Sequence, residues 1–352
     1  MRLCLGISRI SFHPPDCNPG NLLVQAEHCV SLQKIEQALE LFYQAEQHGA
    51  DADRCAGGRW YCWMLKGDFA QAWQESDAIR RRDAPDPHRF WNGEDLQDRR
   101  VILRSLHGYG DAIQMLRYLP MLRQRAKHVV LEVPPQMYDL ARCFSGVDTV
   151  IVWGEPSSWD LQIEVMELPY IFRSDLHTIP RQIPYLTLPP GAQIQNNADH
   201  GLNAGILWIG GEWEPSRSIP FALLHPLLNR KEIRFWSLQR PEDNLEWNDF
   251  WLSRNALPLA CGNGLLSLAA AIQQMDLVIS IDSMAAHLAG ALGKPVWTFL
   301  PRYADWRWMM HRSDSPWYPT MRLFRQTQQG KWDDVVTAVS AQLSASAARS
   351  AC

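Results

Sequence analysis

The stretch Met275 to Leu300, MDLVISIDSMAAHLAGALGKPVWTFL, constrains the fold more than any other part of the chain. Asp276 to Ile281 is a short, β-branched, almost wholly apolar run, the pattern of a strand buried on both faces of a parallel sheet. It stops at Asp282-Ser283. Met284, Ala285, Leu288, Ala289 and Leu292 then recur at helical spacing, Gly293 supplies a C-terminal stop, and Pro295 bars continuation before the apolar run Val296 to Leu300. The spacing predicts strand, helix, strand. Asp282 and Ser283 fall where the strand's carboxyl end meets the helix's amino end. Open α/β sheets bind ligands there, and the unpaired backbone N–H groups of a helix start attract phosphate.

The same alternation runs through the preceding two hundred or so residues. Val101 to Leu106 is predicted as a strand, followed at once by His107-Gly108-Tyr109-Gly110-Asp111 and a helix carrying Ile113, Gln114, Leu116, Leu119 and Met121-Leu122. Gly108 and Gly110 allow a tight turn and a close approach to a ligand. Further strands are expected at His128 to Val133, Thr149 to Trp153 and Asp160 to Val165, with a helix from Met137 to Phe144. Pro180, Pro184, Pro189, Pro190, Gly191 and the polar stretch to His200 mark a boundary.

A second α/β domain follows: strand Ala204 to Ile209, turn Gly210-Gly211, a segment carrying Arg217-Ser218-Ile219-Pro220, and helix Phe221 to Leu228. Strand Arg234 to Leu238 comes next and ends in Gln239-Arg240 at another carboxyl edge. Leu245 to Pro258 has no clear period, and Leu265 to Gln274 is an amphipathic helix. Pro301 to Pro319 holds Trp306, Trp308, Trp317 and Tyr318 beside Arg302, Arg307 and Arg312, either a lid over a ligand or the filling of a domain seam. Met321 to Arg325 is a last strand and Trp332 to Leu343 a closing helix, with 344–352 a frayed tail.

Ahead of these domains, Met1 to Gly20 holds three prolines and no period, an extended lead. Asn21 to Arg82 reads as helices, with Ala38, Phe42 and Ala45 on one face; Ala72 follows Ala38 by 34 residues. That spacing of a small residue early in a second helix resembles the tetratricopeptide repeat. About two units are too few for a free-standing solenoid, so these helices are expected to pack on the next domain. They could hold an acceptor peptide, mediate an oligomer, or act only as a structural cap. Asp83 to Asp98 is the linker, giving boundaries of 1–20, 21–98, 99–200, 201–343 and 344–352.

Composition excludes some functions. A net charge of −4 with dispersed Lys and Arg provides no basic field for nucleic acid. No apolar run approaches the roughly 18 residues of a membrane span, and Cys4 to Ile10 is too short for a signal-peptide core. Eight cysteines without a C-x-x-C pair point to reduced thiols in a cytoplasmic protein.

Asp282-Ser283, then His287, Leu288-Ala289 and Ala291-Leu292-Gly293-Lys294-Pro295 resemble the donor-site signature of the heptosyltransferase-like glycosyltransferases, family 9, of GT-B fold. Asp305-Trp306-Arg307-Trp308 and Asp314-Ser315-Pro316-Trp317-Tyr318-Pro319 are similar to a bacterial subgroup whose transferase domain follows tetratricopeptide repeats. Gly108-Tyr109-Gly110-Asp111-Ala112-Ile113-Gln114 with Arg117-Tyr118 resembles the family's first loop. The resemblance covers residues from about Arg99 to the final helix. It implies two Rossmann-like domains facing a cleft, Asp111 as catalytic base, Arg217 on the donor diphosphate, and Asp282, Ser283, Met284 and His287 around the donor, with Gln239 a further donor-side candidate from its place at a strand's carboxyl edge. It also implies a heptose-type nucleotide sugar as donor, with a protein or glycan hydroxyl as acceptor.

The residue types suit the task. Transfer from a nucleotide sugar needs a base for the acceptor hydroxyl, stabilisation of the departing diphosphate and positioning of the sugar. A helix amino end and the planar fork of Arg217 could fill the cation's role, so no metal and no cofactor are expected. The plainer readings remain beside these: Asp111 as a helix cap, Arg217 as a solvated surface residue, His287 as a satisfied, half-buried side chain. Met284 stands where the family commonly has a small residue and would narrow the phosphate approach. A catalytically silent scaffold that binds nucleotide sugar or a protein is the competing reading. A dinucleotide oxidoreductase is weaker, since neither glycine turn is a full G-x-G-x-x-G.

Overall fold

The computed structural model describes residues 18–82, 90–190, 201–211, 214–240, 243, 246–247 and 264–350, the side chains of 345–350 excepted. Two compact units divide the chain, residues 1–84 and 85–352. Leu245 to Pro258 falls mostly outside the described residues, as does the start of the linker.

Among the described residues the first unit holds four helices, α1 (Pro19–Ser31), α2 (Ile35–Gln47), α3 (Ala52–Lys66) and α4 (Phe69–Arg81). The helical region begins earlier than expected, because Pro19 opens α1 rather than belonging to an extended lead. A proline's missing N–H costs nothing at a first helical position, and the Asn18 side chain caps the turn from Gly20 N at 2.9 Å. Asp51 and Asp68 cap α3 and α4 in the same way, and Gly67 closes α3 in the left-handed conformation. Ala38 and Ala72 each occupy the fourth position of the second helix of a pair, and both are fully buried. Among these helices Arg59 is buried and forks onto Glu75 at 2.7 and 2.8 Å, with Glu46 at 2.6 Å.

Among the described residues the second unit contains two sheets, each of parallel strands. The first orders its strands β3-β2-β1-β4, with β1 Arg100–Arg104, β2 His128–Val133, β3 Thr149–Val152 and β4 Leu161–Glu164. Its crossing helices include α5 (Tyr109–Met115), α6 (Leu119–Arg125), α7 (Tyr138–Ala141) and α8 (Leu168–Ile171). The second sheet orders β6-β5-β7-β8-β9, with β5 Leu202–Leu207, β6 Ile233–Ser237, β7 Leu277–Ile281, β8 Val296–Leu300 and β9 Met321–Arg325. Its described helices are α9 (Phe221–Leu228), α10 (Leu265–Gln273), α11 (Met284–Ala291) and α12 (Asp333–Ser350). All five residues of β7 are buried, as an apolar run sandwiched by helices requires. Each such aliphatic side chain contributes about 1.5–3 kcal/mol on leaving water.

The order of strands decides where a ligand goes. In the first sheet the chain runs from β1 outward to β3 and then crosses to β4 on the other side of β1; in the second it runs from β5 to β6 and then crosses to β7. Each sheet therefore has a switch point, between β1 and β4 and between β5 and β7. Crevices open at the carboxyl ends of such strand pairs.

The aromatic tract Pro301 to Pro319 fills a seam rather than forming an exposed lid. Trp306, Trp308, Trp317 and Tyr318 are all buried, and Arg117 from the first sheet's half stacks over Tyr318, Trp317 and Tyr185 at 4.5, 5.6 and 4.9 Å. Arg117 also donates to the Trp317 carbonyl and, at 3.2 Å, to the Tyr185 hydroxyl. Helix α12 packs on the second half, where Arg230 donates to the Ser340 carbonyl at 2.7 Å.

Candidate functional site

β7 ends at Ile281, and Asp282-Ser283 lead into α11 at the second sheet's switch point, as the sequence predicts. Ser283 is the N-cap residue, but its hydroxyl does not cap the helix; it lies 2.9 Å from the Ser280 hydroxyl. The first backbone N–H groups of α11 have no acceptor within the helix, as at every helix start. Asp282 is buried, and burial raises the pKa of its carboxyl, with the charge of Arg217 opposing. Arg217, in the short turn Pro215–Arg217, places Nη1 3.5 Å from Asp282 Oδ2 and 3.4 Å from the Asp282 carbonyl oxygen. Arg217 thus stands at the mouth of the switch point, not on open surface.

Asp111 comes to the same place from the first half. It is the third residue of α5, and its Oδ2 accepts from Gly108 N at 3.1 Å, so it caps the helix from inside the first turn rather than from the N-cap position. Its other oxygen, Oδ1, takes a hydrogen bond from Arg307 Nη2, and Arg307 Nη1 bonds Asp305 at 2.6 Å. Asp111 is therefore both cap and half of an ion pair between the two halves. Arg325 completes the group, donating to the carbonyls of Trp308 and Met309 at 3.2 and 2.6 Å. Burial lowers the Arg325 pKa to about 10, with Asp282 opposing.

Of the other expected site residues, His287 and Gln239 are engaged elsewhere. His287 is only 4% exposed: its Nδ1 lies 3.0 Å from the Tyr318 hydroxyl and its ring stacks on Trp308 at 5.3 Å, so it packs in the seam instead of facing an open cleft. Burial and then the positive charges of Arg307, Arg117 and Arg217 hold its pKa well below the usual value, which keeps the ring neutral. Gln239 is buried with its Oε1 accepting from Trp208 N and Ile209 N, both at 2.8 Å; it ties down the end of β5. Gln114 lies inside α5, fully buried, and neither atom of its amide has a hydrogen-bond partner among the described residues. Gly108 has φ −63°, open to any residue, so no glycine-specific turn is needed there. Gly110 does have to be small, because a Cβ there would sit 2.9 Å from His287 Cδ2 and 3.5 Å from Met284 Cα. Met284, the first residue of α11, is half-buried against that glycine.

Two residues escape a reading of the sequence. Glu164 closes β4 at the first sheet's switch point, fully buried, its oxygens accepting from Met166 N at 2.5 Å and Leu106 N at 3.4 Å. Burial raises its pKa to about 8 against the pull of those two amides. His107 places Nε2 3.8 Å from it. Arg307 is the second, noted in the sequence only as part of the aromatic tract and given no role there. The only sequence signal for Glu164 is a carboxylate closing an otherwise apolar strand, and for Arg307 an arginine among tryptophans.

Two parallel sheets with paired switch points, and a charged cluster spanning them, define the architecture against which known proteins can be compared. ADP-heptose lipopolysaccharide heptosyltransferase II of E. coli superposes with a TM-score of 0.52 at 14% identity, covering 72% of this chain and all of that one. The chain shares the heptosyltransferase fold. A family 9 glycosyl transferase of Veillonella parvula aligns with a TM-score of 0.48 at 15% identity over 72% of this chain and 97% of that one. Protein FlbA of Caulobacter vibrioides is 22% identical over 325 residues, which are 80% of this chain and 53% of that protein. The chain thus spans about half the length of this curated relative. No family model matches it. Within the heptosyltransferase fold, the carboxyl edge of the second sheet is where Arg217, Asp282 and Ser283 converge.

Proposed function

We propose that this protein is a family 9-type glycosyltransferase that moves a sugar, of the heptose class, from a nucleotide diphosphate donor to a hydroxyl of a protein or glycan. The observation that carries this reading is the convergence of Asp111, from the carboxyl end of β1, with Arg217 and the α11 amino end at the carboxyl end of β7. A base and an anion site on opposing sheets are what displacement at an anomeric carbon needs. The acceptor oxygen attacks the anomeric carbon as Asp111 takes its proton. The bond from that carbon to the diphosphate oxygen breaks, and the diphosphate leaves with the electron pair.

The leaving charge would be met by Arg217 and the backbone N–H groups opening α11, so the reading is of metal-independent transfer. The E. coli protein's name supports ADP-heptose as the first donor to try. Among the described residues no helix is long and apolar enough to cross a membrane, and a cytoplasmic site of action is part of the proposal. The four helices of the first unit, read as tetratricopeptide-like, would hold the acceptor or an oligomer partner.

The test is a thermal-shift screen of nucleotide sugars on the full chain, where a ligand at a hundred times its dissociation constant adds about 2.7 kcal/mol. Transfer of label from a binding donor into a lysate acceptor then separates enzyme from scaffold. Binding with no transfer to any acceptor class overturns the enzyme reading, and no binding by any nucleotide sugar overturns both.

A further inference from the structure

The charged residues where the first half's Asp111 meets the second sheet's carboxyl edge balance one another. Asp111, Asp282 and Asp305 face Arg217, Arg307 and Arg325, linked by the pairs Arg217 to Asp282, Arg307 to Asp305 and Arg307 to Asp111. Arg307 and Asp282 also feel each other's charge directly. Such a set has no net charge to offer a diphosphate, which arrives with two or more negative charges. For the anion to be neutralised, at least one guanidinium must leave its carboxylate.

Arg307 is the one built to do so. Asp305, two residues away in the chain, holds Arg307 Nη1, whereas Asp111 belongs to the other half and holds Nη2. Arg307 Nε and Arg325 Nε are buried donors with no hydrogen-bond partner among the described residues. A buried guanidinium N–H left unspent costs free energy, and an anion supplies what is missing. Asp111, for its part, has Oδ2 engaged with Gly108 N and Oδ1 with Arg307, so the oxygen facing the second half is already occupied.

We infer that Arg307 is a second ligand for the donor's diphosphate, held in reserve on Asp111 and exchanged onto the anion when the donor binds. The exchange vacates Asp111 Oδ1, so the base is released only with a donor in place, and an empty site keeps it clasped. Asp305 remains on Nη1 throughout and guides the guanidinium's swing. This inference rests on the glycosyltransferase reading and deepens it.

Inorganic pyrophosphate is the probe, titrated calorimetrically into the full chain without added metal. Asp111→Asn removes the competing charge while keeping shape and cap, so pyrophosphate should bind this variant about five- to tenfold more tightly than wild type. Arg307→Gln should bind it about tenfold more weakly, and the double variant should match Arg307→Gln alone. Arg307→Lys, which keeps the charge but loses the fork, should fall between wild type and Arg307→Gln, and it replaces the glutamine variant should that fail to fold. Equal or weaker binding by Asp111→Asn overturns the exchange. So does a gain from Asp111→Asn that persists when Arg307 is already gone. If neither wild type nor Asp111→Asn binds pyrophosphate, the exchange is overturned while the donor site still stands or falls on nucleotide-sugar binding; binding that ignores both residues likewise overturns the exchange alone.

Discussion

A Cβ built on Gly110 would lie 2.9 Å from His287 Cδ2, so the helix that carries Asp111 and the helix that opens at Ser283 are in contact through a glycine and a histidine ring. The histidine cannot easily retreat. Tyr318 holds its Nδ1, Trp308 backs its ring, and a Cβ on Gly290 would strike the Tyr318 ring at 2.3 Å. Asp111 and the amino end of α11 are thus set at a fixed spacing by packing, with no hydrogen bond between the two helices needed.

Gly110→Ala should therefore destabilise the second unit by about 1–3 kcal/mol, the cost of overpacking a filled core. Denaturant unfolding measures this, and a midpoint equal to wild type would mean that the seam yields more readily than this geometry allows.

Removing the fork of Arg217 should weaken nucleoside diphosphate binding by roughly 1.5–3 kcal/mol in Arg217→Ala, the worth of a charged hydrogen bond. Calorimetry with a chelator present is the measurement. Affinity that depends on Mg²⁺, or that ignores the substitution, rules the arginine out as the diphosphate's ligand.

Asp111→Asn keeps a side-chain oxygen that can accept from Gly108 N but cannot take a proton. Turnover should fall by about 10²–10⁴-fold with the helix intact. Equal transfer by variant and wild type would reduce Asp111 to a cap and a clasp.

Glu164 supplies a pH test. Its folded pKa, raised to about 8, lies above an unfolded value near 4.5, so what it contributes to stability is fully present below about pH 4.5 and is lost as pH rises through 8. Glu164→Gln cannot ionise, though at pH 6 it sacrifices an acceptor for Met166 N or Leu106 N, worth about 1 kcal/mol. From pH 6 to 9 the variant should gain on wild type by about 2–3 kcal/mol in denaturant unfolding. Parallel pH curves would mean that Glu164 is ionised throughout that range.

In the first unit, Arg59→Ala leaves Glu75 buried without its partner and should cost about 3–5 kcal/mol. Hydrogen exchange would show lost protection in α2, α3 and α4 with the sheets of the second unit unchanged. Uniform loss across the whole chain would mean that the two units unfold together.

Much of this was legible in the sequence because it depends on neighbours in the chain. Parallel strands covered on both faces must be continuously apolar, so Leu277–Ile281 and Val296–Leu300 declare themselves, and Asp282-Ser283 follow as the turn at their carboxyl edge. Ala38 and Ala72, small residues on predicted helix faces, are both buried at the fourth position of α2 and α4. What the sequence could not determine are contacts between residues far apart in the chain. The partner of Asp111 is Arg307, 196 positions away, and only the meeting of the two halves makes them a pair. His287 stands one turn into a helix that could face either the crevice or the seam, and Tyr318 and Trp308 settle it toward the seam. Gln239 ends its strand as a ligand-binding residue would, yet the backbone amides of Trp208 and Ile209, in the neighbouring strand's loop, take its oxygen. Glu164 is the clearest case: a strand-end carboxylate has no fixed charge state until its surroundings exclude water, and the crossover that puts β4 beside β1 is a property of the fold alone.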